Sequence, residues 1–308
     1  MRSLHLMNHR KPTHHRSRRL LPLTLVSLTI AAAFVCLMPS SQAEGGSPED
    51  TVALVRDASW NEMHASNVSK QPFRFRLHKV DEKGSSTKEI VETRDGDVAR
   101  LVEVNDKPLT PEQQQQELAR LSNLLAHPEL QAHRHKKEKE DSNRADEMVR
   151  LLPDAFLYTD LGIVPGANGP AHRLSFKPNP AFLPPDREAE VYHGMAGELW
   201  IDVAEKRMVK LDGHLISDVN FGWGVIGRLN KGGTILVVQK DVGMHHWEQT
   251  HLQLNLTGKI LMVKELSIKT TENASDFHPV EKELTYQDAI HLLERQSPEG
   301  TQSALSTP

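Results

Sequence analysis

The chain has 308 residues, with 37 lysines and arginines against 41 acids and a single cysteine, Cys36. Six of those cations and none of the acids precede residue 44, so residues 44–308 carry 31 basic against 41 acidic side chains, a net of −10. Such a segment lacks the basic face that nucleic acid needs. Without cysteine it has no disulfides, thiol nucleophile or cysteine metal ligands, and its stability must come from a packed core.

Arg2, Arg10, Lys11, Arg16, Arg18 and Arg19 make a basic leader. Leu20 to Met38 then runs without charge, Pro39 interrupts it, and Ser41-Gln42-Ala43 sets small residues at the −3 and −1 positions. This layout predicts a secretory signal peptide over residues 1–43, cleaved after Ala43. The apolar run approaches the ~20 residues that span a bilayer, so an anchor over residues 20–38 is the alternative. Ser17-Arg18-Arg19-Leu20-Leu21 is similar to a twin-arginine export signal, although Pro22 interrupts it. Val35 precedes Cys36 where a lipid-attachment box wants a small residue. Export without disulfides fits the bacterial periplasm.

Ser47-Pro48-Glu49-Asp50 has the residues of a helix start, with a cap, a proline in the first turn and a carboxylate near the capping-box position. Val52, Val55, Ala58 (or Trp60) and Met63 follow at helical spacing and predict a helix over about 48–64. Phe73, Phe75 and Leu77 alternate with Arg74, Arg76 and His78 as in a half-buried strand. Lys88 to Val104 reads as a hairpin turning at Asp95-Gly96. Thr110-Pro111-Glu112 opens a second helical region whose Leu118, Leu121 and Leu125 share a face. His133 to Glu147 is almost wholly charged or polar and reads as a solvated helical insertion, after which Met148, Leu151 and Leu152 return to the core.

Gly and Pro punctuate residues 160–196, which read as loop around a short strand from Arg173 to Lys177. From Gly197 onward apolar and polar residues alternate in segments joined by short turns. Those turns are expected at Ala204-Glu205-Lys206, Asp212-Gly213, Lys231-Gly232-Gly233 and Thr257-Gly258. Connections this short join antiparallel strands, so the pattern is a meander. Ile260 to Ile268 and Thr234 to Val238 are apolar on both faces, which predicts that something covers the second face. Residues 295–308, rich in Ser, Thr, Pro and Gly, read as a disordered tail.

The chemistry-bearing stretch is His245-His246-Trp247-Glu248-Gln249-Thr250-His251. On a helix, His246 and His251 lie about 140° apart and cannot share a metal. On a strand, Leu252, Leu254 and Leu256 alternate with His251, Gln253 and Asn255, and His246 and Glu248 become same-face neighbours. Two ligands fall short of the three that a catalytic zinc site wants. The expectation is therefore a strand with incidental polar residues, no metal and no cofactor. His133-x-His135 lies in the charged run, and His193-Gly194 has no partner motif nearby. Gly222-Trp223-Gly224 reads as a tight turn. Asn67-Val68-Ser69, Asn255-Leu256-Thr257 and Asn273-Ala274-Ser275 match the short glycosylation pattern. There is no G-x-S-x-G, P-loop or G-x-G-x-x-G, so no catalytic residue is assigned.

The hairpin GELWIDVAEKRMVKLDG, Gly197 to Gly213, with the following HLISDVNFGWGVIGRLNKGGTILVVQKDV, resembles periplasmic lipoprotein-carrier-like proteins, the LolA carrier and the RseB/MucB envelope-stress regulators. The resemblance implies one α+β half-barrel domain over residues 44–294, with residues 133–147 an extra charged segment. Its sheet would be a curved antiparallel one, an unclosed barrel, with helices covering its concave apolar face. It implies non-catalytic binding of a lipid or acylated protein, with an envelope membrane protein as a further partner. The cleanly alternating face nominates Leu199, Ile201, Val203, Val209, Leu211, Leu252, Leu254 and Leu256 as groove lining. A protein-interaction or stress-sensing module without bound lipid is the rival reading, and a hydrolase the third.

Overall fold

The computed structural model describes residues 47–64, 71–222, 226–261 and 263–295. The expected leader with its expected cleavage and export signals, the Asn67-Val68-Ser69 sequon, Trp223 and Gly224 of the expected turn, Met262 and the tail from Gln296 lie outside the described residues.

Helix α1, Pro48–Met63, begins where the cap residues place it. The Asp50 amide donates to Ser47 Oγ at 3.2 Å, and the Ser47 amide donates back to Asp50 Oδ2 at 3.3 Å. That reciprocal box satisfies two otherwise orphaned donors and stabilises the helix by about 1 kcal/mol. Thr110 with Gln113 opens α2, Pro111–Ala126, in the same way, and Thr285 with Asp288 opens α4, Tyr286–Glu294. Between α2 and the strands that follow lies α3, Pro128–Ala155, a continuous helix through the charged segment. Its residues 133–147 are largely exposed. No helix among the described residues is long and apolar enough to cross a membrane.

Among the described residues, thirteen strands form one antiparallel sheet. In chain order they are β1 Phe73–Asp81, β2 Gly84–Val91, β3 Val98–Val104, β4 Lys107–Pro108, β5 Phe156–Pro165, β6 Pro170–Pro178, β7 Met195–Asp202, β8 Met208–Leu215, β9 Val219–Phe221, β10 Gly227–Leu229, β11 Thr234–Asp241, β12 Trp247–Ile260 and β13 Lys264–Pro279. They run side by side as β4-β3-β2-β1-β13-β12-β11-β8-β7-β6-β5, with β9 and β10 as a flap on β12. The terminal strands β4 and β5 do not pair with each other, so the barrel stays unclosed. The β1–β13 ladder joins distant parts of the chain, with Leu77 opposite Ala274.

Helices α1 and α3 and a 3₁₀ turn, Glu188–Gly194, pack on β5 to β9. Their core includes Val55, Ala58, Leu151, Leu152, Phe156, Leu174, Phe176, Tyr192, Leu199 and Ile201. The hydroxyls of Tyr158 and Tyr192 donate to the carbonyls of Leu152 and Met148 at 2.7 and 2.8 Å, tying the end of α3 to that core. A second core joins α2 and α4 to β2 and β3 through Val91, Val98, Leu121, Leu124, Ile290 and Leu293. Here α2 buries Leu121 and Leu124 rather than the expected Leu118, which is exposed. On the opposite face of the sheet, Trp247 packs with Ala171, Val209 and Trp200.

Three local expectations are corrected. Residues 160–165, expected as loop, belong to a strand that starts at Phe156; Phe156 and Tyr158 are buried while Leu157, Leu161 and Ile163 face outward, so no alternation was visible on this edge strand. Asp212-Gly213 does not turn but lies inside β8, where Gly213 pairs with Gly197 and a Cβ on Gly197 would meet the Asp212 carbonyl oxygen at 2.0 Å. Gly258 lies inside β12, whose pairing with β13 runs on to Ile260 opposite Lys264. Among the described residues nothing covers Leu261 and Val263, which are 63% and 83% exposed.

Candidate functional site

Between α3 and the middle of the sheet lies a half-enclosed cavity of about 470 Å³. Ala145, Met148, Val149 and Leu152 of α3 form its roof. Their i, i+3, i+4, i+7 spacing makes one apolar stripe on an otherwise charged helix. The floor comprises Met195 of β7, Met208, Leu211 and Leu215 of β8, Ile235 and Val237 of β11, and Leu256 of β12. Lys210, His214, Thr234, Gln239 and Gln249 supply its polar positions. A predominantly apolar lining with a few polar groups, at this volume, is typical of small-molecule sites.

Of the groove residues nominated from sequence, Leu211 and Leu256 line this cavity. Leu252 and Leu254 pair with Val237 and Ile235 of its floor, half-buried on the same face. Leu199 and Ile201, 1% and 0% exposed, belong to the adjoining core. Val203 follows β7 and is 40% exposed. Val209 lies with Trp247 on the other face, because Trp200 pairs with Lys210 and Ile201 with Met208, leaving Val209 as the extra residue of a bulge. The roof residues were not nominated; the signal for them was the stripe on α3. Ile235 and Val237 were hidden in a strand apolar on both faces.

A second constellation is polar. His246 Nε2 lies 2.6 Å from Glu248 Oε1, the same-face pair expected from a strand. Glu92, just beyond β2, joins them: one ligand atom from each of Glu92, His246 and Glu248 lies within 4.8 Å of the others. The Phe73 amide donates to Glu92 Oε2 at 2.7 Å, and the Phe73 ring stacks on the His246 imidazole at 4.5 Å. Burial, with the charge of Glu248 adding to it, pushes Glu92 up from 4.5 to about 7. Burial, then Glu138 and Glu248, push Asp97 up from 3.8 to about 7, with Arg134 opposing. Burial disfavours charge on His246, but its hydrogen bond and the charge of Glu248 outweigh it and raise its pKa.

The first half of α3 closes this joint. Gln131, 1% exposed, donates to the Asp95 carbonyl at 3.0 Å, and the Asp97 amide donates to Glu138 Oε2 at 3.2 Å. Gln131 Oε1 and Arg134 Nε are buried without a hydrogen-bond partner among the described residues. Nearer the surface, Glu205, Asp241 and His245 form another three-ligand set, with His245 Nδ1 2.8 Å from Glu205 Oε1. Glu205 there accepts from Trp247 Nε1 at 2.8 Å, a structural use of the carboxylate.

No family model matches the chain, and no curated protein matches it. Among solved structures it is similar to the crystal structure of an outer membrane lipoprotein-sorting protein domain from Vibrio parahaemolyticus, at 10% identity and a TM-score of 0.28. That match covers 81% of this chain and 100% of the other. At this level of likeness the chemistry of the site rests on its own residues.

Proposed function

We propose that the chain is a non-catalytic protein exported to the bacterial periplasm that holds an apolar ligand, the acyl chain of a lipid or of an acylated protein, under α3. The observation that supports this reading is the cavity of about 470 Å³ roofed by Met148, Val149 and Leu152 and floored by Leu211, Ile235, Val237 and Leu256. Burying methylenes is worth ~0.8 kcal/mol each. About ten of them give roughly 8 kcal/mol before ordering costs, which reaches the micromolar range. The roof is one helix whose last turns alone are apolar, so the site can admit a chain by a small shift of α3 without opening the sheet.

The test is titration with a fluorescent fatty acid, comparing the native protein with Val237→Phe. Saturable uptake that falls at least tenfold in the variant, with the fold intact, is the expected result. No uptake by the native protein would sink this reading. A second reading, docking to an envelope membrane protein without bound lipid, is favoured by the exposed Leu261 and Val263 at the β12–β13 reversal. It expects unchanged partner capture in Val237→Phe and loss in Leu261→Ser with Val263→Ser.

A further inference from the structure

We infer that Glu92, His246 and Glu248 form a binding site for one divalent transition-metal ion of the zinc class. This site is separate from the apolar cavity and does not depend on the reading given to it. The sequence held two of the ligands, and the fold brings the third from a distant strand, so that the three ligand atoms lie within 4.8 Å of one another. Zinc binds carboxylate oxygen and imidazole nitrogen at about 2.0–2.2 Å, so three such atoms converge on one ion with adjustments of about 1 Å. Three protein ligands leave a further position for water.

Two features beyond the acids themselves point to a cation. The imidazole is placed among them, its plane set by stacking on Phe73 and its Nε2 directed at Glu248. The nearby protein cations are committed elsewhere. Arg207 makes two 2.9 Å bonds to Glu62, and Arg134 acts on Asp97. Glu92 and Glu248 face each other with Asp97 close behind, and a dication that displaces their protons takes up the negative charge that burial otherwise suppresses. The two strands it would clamp, the end of β2 and the start of β12, belong to different cores, so bound metal would join them.

The experiment is calorimetric titration of the chelator-stripped whole chain with Zn²⁺ at pH 7.5, followed by thermal melting. One equivalent is expected to bind and to raise the melting temperature. Glu92→Gln and Glu248→Gln, close in shape to the native residues, are expected to weaken binding at least tenfold, while Glu205→Gln leaves it unchanged. Mn²⁺ is expected to bind more weakly than Zn²⁺. Circular dichroism of each variant checks that it is folded; should Glu92→Gln not fold, Glu248→Gln carries the test. Substoichiometric uptake, or binding insensitive to Glu248→Gln, or binding lost in Glu205→Gln, would overturn the inference.

Discussion

Helix α3 covers two regions of opposite chemistry. Its last turns, Ala145 to Leu152, roof an apolar cavity, while its first turns, Gln131 to Glu138, close a joint of buried carboxylates. At the apolar end, burial itself is favourable, and side chains tolerate a gap because no polar group is stranded in it. At the acidic end, burial opposes charge, and Glu92 and Asp97 are held near neutrality instead. One helix thus covers an apolar region and a region whose buried acids answer to protons. Arg207, next to Met208 of the cavity floor, links α1 to the acidic joint: it is bonded to Glu62 of α1, set over the Trp247 ring at 5.6 Å, and opposes charge on His246.

The largest effect is expected from breaking that link. Glu62, half-buried, also accepts from the Met208 amide at 2.7 Å, and its partner Arg207 is buried. Glu62→Ala leaves Arg207 buried and unpaired, and should cost about 3–5 kcal/mol in denaturant unfolding. Next comes the core beside the cavity. Ile201, fully buried, should lose about 2–5 kcal/mol on change to alanine. An equally large loss from Leu118→Ala, on the exposed side of α2, would erase the distinction between buried and open faces.

The acidic joint should show itself through pH. In chelator, Glu92 and Asp97 hold protons in the folded chain up to about pH 7, whereas the unfolded chain releases them near 4.5 and 3.8. The folded state binds more protons across that window, so stability falls as pH rises from about 4.5 to 7 and levels off above it. The fall should be on the order of several kcal/mol, and Asp97→Asn should remove about half of it. Stability that climbs through this window would contradict the burial of these acids. The smallest effect on stability, under about 1.5 kcal/mol, is expected for Val237→Phe, which enters open volume rather than packed core. That variant should nonetheless lose ligand, so stability and uptake part company at the apolar end.

Much of this layout was legible in the sequence. The cap at Ser47 and the alternation from Leu252 to Leu256 each named an element correctly, because local chemistry decides both. The His246–Glu248 pair was legible too, since i, i+2 residues share a strand face. The third acid was not, because Glu92 reaches the pair only through the β1–β13 ladder, a contact with no local trace. Val209 was assigned to the groove face because a bulge cannot be counted from alternation. Edge strand β5 was missed because it carries apolar residues on both sides, Gly162 at φ 92° and a register shift between Asp160 and Ile163.

The apolar cavity is tested most directly by a native mass spectrum of the full chain, before and after organic extraction. An adduct of acyl-chain mass that extraction removes, and that Val237→Phe lacks, is the expected result. A bare mass in the native protein, with no uptake of added fatty acid, would contradict a ligand-holding cavity and turn attention to the exposed β12–β13 reversal.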